Sequence, residues 1–138
     1  MRTFYIFKIK KEISILLKET PYNLFKTIED LYYLDSSNMG VSFSIYHELF
    51  DLFDKSYMNK KINTIFNNYR FYSRDGDVHY VYNKYLPENT TLRVYKSHIL
   101  LKSDVIKPTL LVNYSKNDNL FVCDFKNKDY FWLHELHC

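Results

Sequence analysis

The stretch RFYSRDGDVHYVY, residues 70–82, carries the strongest indication of fold in this chain. Aromatic and β-branched residues occupy both of its arms, as is typical of strands. The arms flank Asp75-Gly76-Asp77, and an Asp-Gly pair tolerates the positive φ angles that tight hairpin turns require. The stretch therefore predicts a β-hairpin and, with it, an antiparallel sheet.

Two more hairpins are predicted further along the chain. The paired segments and their turns are residues 92–96 with 99–102 around Ser97-His98, and residues 120–125 with 130–133 around residues 126–129. Between these hairpins, Pro108 suits the first turn of a short helix that continues through Leu111 and Tyr114. Because each strand pairs with a near neighbour in sequence, the sheet is expected to be mainly antiparallel.

The N-terminal half has helical periodicity after one strand. Residues 3–9, TFYIFKI, are rich in aromatic and β-branched types and predict that strand. Thr20-Pro21 is a convincing helix start, since Thr is a good cap and Pro suits the first helical position. The predicted helical segments are residues 11–18, 20–34, 41–54 and 59–68.

This order of elements predicts an α+β fold. We expect a single domain over residues 1–138, with an N-terminal strand and three to four helices followed by antiparallel hairpins. The helices are expected to pack on one face of the sheet. No internal repeat or linker interrupts the sequence, and 46% hydrophobic residues can fill one core.

Composition excludes several classes of function. With two glycines the chain has neither a P-loop nor a dinucleotide-binding fingerprint, which both need several. The net charge of +3 is far from the dense basic surface of a dedicated nucleic-acid binder. Two cysteines build no disulfide framework, so a reducing cytoplasm is expected. No apolar stretch is long enough to span a bilayer.

No catalytic or metal-binding constellation is recognisable. His134-Glu-Leu-His137-Cys138 is the most metal-like cluster, but it lacks a second pair of ligands and is more typical of a frayed chain end. Cys123 with His79 or His98 is a conceivable nucleophile and base, yet a buried, unreactive Cys is commoner. We therefore expect a binding protein that is not an enzyme and needs no metal or cofactor.

The first predicted helix is apolar on two sides. Ile13, Leu16 and Leu17 recur at helical spacing, while Ile15 falls on the opposite side. Such a helix either lies deep in the core or uses one face for a partner. The residues alone leave both interpretations open.

Two motifs resemble the family of SirA, the sporulation inhibitor of replication. They are Tyr5-x-Phe7-x-Ile9-Lys10-x-Glu12 near the start and Phe121-Val-Cys-Asp124-Phe125-x-x-Lys128-x-Tyr130-x-Trp132-Leu133 near the end. The resemblance implies a cytoplasmic protein that binds the N-terminal domain of the replication initiator DnaA and inhibits initiation. It implies no chemistry, and it leaves the oligomeric state open.

The resemblance also implies contact residues. In that family two aromatic side chains one turn apart on the first helix enter the partner, and these positions fall on Ile13 and Leu17 here. The aliphatic residues keep the spacing but lose the rings that usually anchor interfaces. Tyr46, on the third predicted helix, is expected to border the same surface. Lys8, Lys10 and Lys11 are expected to edge it and to speed association with an acidic domain.

A single-stranded nucleic-acid binder is the alternative. Aromatic side chains on the predicted sheet, with lysines beside them, would stack on unpaired bases, and the candidates are Phe71, Tyr72, Tyr80 and Tyr82. The 19% aromatic content has a simpler cause in an AT-rich coding sequence, which also explains the absence of Ala and Gln. This alternative requires all of these rings to lie exposed beside a basic groove.

Overall fold

A computed structural model of the protein describes residues 1–34, 48–114 and 119–136. Within these ranges the chain forms eight strands, three α-helices and one 3₁₀ helix. The strands are β1 (Arg2–Ile9), β2 (Phe50–Asp51), β3 (Tyr72–Asp75), β4 (Val78–Asn83), β5 (Glu88–Val94), β6 (Ile99–Ser103), β7 (Leu120–Asp124) and β8 (Asp129–Trp132). The helices are α1 (Lys11–Leu17), α2 (Pro21–Leu34), α3 (Lys55–Phe66) and the 3₁₀ helix Leu133–Glu135. The α+β fold is thereby confirmed.

The sheet is antiparallel throughout and runs in the order β3-β4-β5-β6-β1-β7-β8. The N-terminal strand β1 lies inside the sheet, pairing Phe4 with Leu101 of β6 and Phe7 with Phe121 of β7. The short strand β2 pairs with the end of β1. All three predicted hairpins are present, and β5 extends further back than predicted, to pair along the whole of β4.

The turn of the first hairpin follows the sequence closely. Asp75 pairs with Val78, so the connecting loop consists of Gly76 and Asp77. Gly76 has a φ of +61°, a conformation that costs glycine little because it has no Cβ. Glycine at this position therefore sets the register of β3 on β4.

Helices cover both faces of the sheet, so the prediction that they pack on one face was wrong. On one face Phe4 and Ile6 of β1 join a buried cluster with Ile62 of α3. On the other, Phe7 and Ile9 join a second cluster with residues Leu24, Phe25 and Ile28 of α2. The reason is in β1 itself, because Ile6 and Phe7 are consecutive and both buried. A strand that is apolar on both sides requires cover on both sides.

Two predicted helices differ from the structure. Of the segment 41–54, residues 41–47 lie outside the described residues, residues 48–49 are helical as predicted, and Phe50–Asp51 is a strand paired with β1. The segment after Pro108 forms turns, because the Glu88 carboxylate accepts hydrogen bonds from the Thr109 amide at 2.9 Å and hydroxyl at 2.6 Å. The fourth predicted helix starts earlier than expected, at Lys55. Asp54 caps it by accepting a hydrogen bond from the Tyr57 amide.

Helix α2 is tied to the β7–β8 turn by a buried carboxylate. Glu29 is 3% exposed and accepts hydrogen bonds from Lys26 Nζ at 2.8 Å and Lys128 Nζ at 2.9 Å. The two ammonium groups hold the pKa of Glu29 below its usual value.

Among the described residues, no helix has the length and apolar character needed to cross a membrane.

Candidate protein-interaction site

Helix α1 follows β1 with only Lys10 between them. The Ser14 amide donates to the Lys10 carbonyl at 2.9 Å, and the Ser14 hydroxyl donates to the Lys11 carbonyl at 2.8 Å. After seven residues the helix ends at Leu17, whose carbonyl accepts from the Thr20 amide at 3.1 Å. The first turn of α2 comes directly afterwards, so α1 is a short helix that connects β1 to α2.

No residue of α1 is buried. Ile15 is 68% exposed and Leu16 is 74% exposed. Ile13 and Leu17 are half-buried and pack against the cluster that contains Leu24 of α2. We call Ile15 and Leu16 the outer face of α1.

The expectation that Ile13 and Leu17 lie exposed is therefore corrected. Residues four apart share one side of a helix, and this side faces α2. Ile15 lies on the opposite side, as the helical spacing predicted, and it is Leu16 that accompanies it in solvent. Tyr46, the third predicted contact residue, lies outside the described residues.

The charges around α1 are mixed. Lys11 and Glu12 at its start are exposed, and so are Lys18 and Glu19 just after its end. Lys8 occupies the same side of β1 as Phe4 and Ile6, away from α1, since side chains alternate along a strand. The predicted basic edge of Lys8, Lys10 and Lys11 is therefore not a single patch.

The aromatic residues of the alternative hypothesis divide between the two faces of the sheet. Tyr80 and Tyr82 are 36% and 65% exposed on one face of β4. Tyr72 pairs with Val81 and belongs to the opposite face, where its hydroxyl lies 2.7 Å from Nδ1 of His79. Phe71 lies just before β3, with the Arg70 guanidinium 5.3 Å from its ring centre. Only Tyr80 and Tyr82 therefore share one exposed strand face.

The charges beside these two tyrosines are also mixed. Tyr80 pairs with Thr91, and Thr91 pairs with Lys102. Arg93 lies two residues after Thr91 on β5 and pairs with Val78, so it belongs to the same face. Asp75 pairs with Val78 and so adds a carboxylate at the edge of the same face. The face is polar and aromatic, with cations and an anion together.

His79 is the centre of a buried polar network that sequence reasoning missed. It is 0% exposed, and its Nε2 lies 2.9 Å from Oδ1 of Asn59. Asn59 Nδ2 donates to Asp77 at 2.8 Å, and Lys55 Nζ pairs with Asp77 at 2.6 Å. Burial lowers the pKa of His79 to about 4, so the imidazole is neutral near pH 7. No local sequence pattern predicts this network, because its members belong to two separate elements, α3 and the first hairpin.

Of the residues considered for chemistry, Cys123 and His79 do not come together. Burial raises the pKa of the Cys123 thiol well above its usual value, and His79 lies on the other face of the sheet. His98 Nδ1 lies 2.8 Å from the Ser97 hydroxyl, and burial lowers the pKa of its ring to about 4. Residues 137–138 of the terminal cluster lie outside the described ranges, and no group of three potential metal ligands occurs within them.

A scan against protein-family models and a search of curated proteins found no match to the chain. The outer face of α1 is one of the apolar surfaces of the described residues that the core does not account for. Its two large aliphatic side chains are more than two-thirds exposed, next to a helix side that is already packed.

Proposed function

We propose that this chain is a protein-interaction regulator of the SirA type, which docks through α1 on the N-terminal domain of DnaA in the cytoplasm and inhibits initiation of replication. The observation that carries the proposal is the exposure of Ile15 and Leu16 on a helix without a buried residue. The motifs at both ends of the chain that resemble the SirA family support the choice of partner.

The mode of binding is that of a helix in a groove. Ile15 and Leu16 enter the partner, while the half-buried Ile13 and Leu17 hold α1 against α2 and supply the rim of the contact. Full burial of a large aliphatic side chain contributes roughly 1.5–3 kcal/mol. Two such side chains together contribute about 4 kcal/mol, or roughly a thousandfold in affinity. Inhibition is steric, since the bound protein covers a surface that the initiator needs.

The test is calorimetric titration of the protein with the N-terminal domain of the DnaA of its own host. The double variant Ile15→Asp, Leu16→Asp removes the outer face at two mostly exposed positions, so it should fold and lose binding. Leu86→Asp is the matched control, since Leu86 is 78% exposed in the connection after β4. Binding by the wild type and the control, lost in the double variant, supports the proposal. Equal binding by all three would exclude α1 as the site, and no binding by the wild type would exclude the partner.

Single-stranded nucleic-acid binding in a reduced form, with Tyr80 and Tyr82 as the stacking rings and without Phe71 and Tyr72, is the second candidate, favoured by the exposure of these two tyrosines beside Arg93 and Lys102. Stacking on a ring contributes roughly 1–3 kcal/mol per base. Fluorescence anisotropy with a labelled thymidine oligomer at low and high salt tests it, with Tyr80→Ala, Tyr82→Ala as the variant. Salt-sensitive binding that the variant loses would favour this function over the first. Absence of binding at low salt would remove it.

A further inference from the structure

A pocket of about 680 Å³ opens between the start of β1, strand β8 and the loop that follows β6. Pockets for small organic ligands typically span roughly 300–1,000 Å³. Its apolar wall includes Phe4, Leu111, Val112, Phe131 and Leu136. Phe4 and Leu111 are buried members of the core cluster on the α3 side, so this wall is rigidly supported.

Charged side chains line part of the pocket. Arg2 donates to Asp129 at 2.8 Å and to Asp124 at 3.0 Å, and its third contact is with the Ile106 carbonyl at 3.5 Å. Lys107, which follows Ile106 directly, also lines the pocket.

The charge of Arg2 is already compensated, whereas that of Lys107 is not. Asp124 and Asp129 both pair with Arg2. Lys107 is exposed and takes part in none of the ion pairs found in the described part of the chain. With Asp124 counted beside the lining residues Arg2, Lys107 and Asp129, the two cations and two carboxylates balance, and Lys107 is the cation among them that pairs with neither carboxylate.

We propose that this pocket binds a small amphiphile with a hydrocarbon body and one carboxylate. The hydrocarbon body lies along the wall of Phe4, Phe131 and Val112, where it removes apolar surface from water. The carboxylate pairs with Lys107, and the Arg2–Asp129 pair holds the end of the pocket open. This site is separate from the outer face of α1, because Arg2 and Phe4 lie on the side of β1 opposite Phe7 and Ile9.

The experiment is calorimetric titration with dodecanoate below its micellar concentration, beside dodecanol and dodecyltrimethylammonium. The wild type should bind dodecanoate saturably, and both other probes at least about tenfold more weakly, since they lack the charge that pairs with Lys107. Lys107→Glu should weaken dodecanoate about tenfold or more. Lys102→Glu is the matched control, because it makes the same charge change on the opposite face of the sheet.

A pocket-filling variant, Val112→Phe, tests the apolar wall and should abolish binding of dodecanoate. If this variant folds poorly, the wild type is titrated with dodecanoate and its amide chemical shifts are followed by NMR. The signals of residues 110–112 and 131 should then move. The proposal is overturned if dodecanoate does not bind saturably, if the cationic probe binds as well, or if Lys107→Glu and Lys102→Glu weaken binding equally. It is also overturned if the shifts lie elsewhere.

Discussion

Protonation of His79 should destabilise this fold in mildly acidic solution. Burial lowers the pKa of the ring in the folded state to about 4, against 6.5 for a free histidine. The unfolded chain therefore binds a proton between these values while the folded chain does not. Stability contributed by the neutral ring is present above pH 6.5 and is lost as the pH falls towards 4. Between pH 7 and pH 5 the free energy of unfolding should fall by about 2 kcal/mol because of this residue alone.

The structural reason is the network around the ring. Nε2 faces the Asn59 carboxamide and Nδ1 faces the Tyr72 hydroxyl, and neither partner carries a charge that would favour an imidazolium. The nearest carboxylate, Asp77, is occupied by Lys55 and Asn59. These two partners lower its pKa below 3.8, so its own titration stays outside the interval from pH 7 to pH 5.

The assay is urea unfolding followed by circular dichroism at pH 7 and pH 5. A His79→Gln variant keeps a polar side chain but does not titrate, so its loss of stability between the two pH values should be smaller by about 2 kcal/mol. His98 contributes in the same direction in both proteins, because burial also lowers the pKa of its ring. Equal losses in the wild type and His79→Gln would refute the reasoning.

Three other substitutions should change stability in ways that urea unfolding can measure. Arg2→Met should lower the free energy of unfolding by about 2 kcal/mol, because the carboxylate of Asp124, which is 1% exposed, stays buried without its cation. Adding Asp124→Asn to this variant should recover part of the loss. Gly76→Ala should cost about 1–2 kcal/mol from its positive φ alone, since a Cβ there meets no atom within 4 Å; a neutral effect would contradict this. Ile62→Ala in the core should cost about 3 kcal/mol, whereas Ile65→Ala, 45% exposed on the same helix, should cost less than about 1 kcal/mol; similar losses would show that burial is not the cause.

The predictions that succeeded depend on local chemistry. Thr20-Pro21 marks the start of α2, and the Asp75-Gly76-Asp77 turn marks the first hairpin, because caps and turns are decided by residues within a few positions. The start of α3 was placed four residues late, although Asp54 is a good cap. The helix expected after Pro108 failed because a carboxylate 21 positions away, on Glu88, binds the segment instead.

The predictions for the candidate site also succeeded where local spacing decides the structure and failed where tertiary contacts decide it. The spacing of Ile13, Leu16 and Leu17, with Ile15 on the opposite side, predicted a helix with two apolar sides, and that helix is present. The spacing does not say which side meets α2. The resemblance to the SirA family implied Ile13 and Leu17 as the contact residues, whereas the structure exposes Ile15 and Leu16. Likewise, period-two alternation predicts that Tyr72 and Tyr80 occupy strands, but the pairing register decides that they point to opposite faces.

The sequence by itself determined the class of fold, the hairpin order, the two-sided character of α1 and the absence of phosphate-binding glycine motifs. Each of these follows from residue types and short spacings, which act without knowledge of distant contacts. Only the tertiary structure decided that helices cover both faces of the sheet, that His79 joins Asn59 and Tyr72, and that a pocket forms beside Arg2 and Lys107. These features join residues far apart in the chain, because burial of apolar surface is not directional and gives no local signal of which faces will meet.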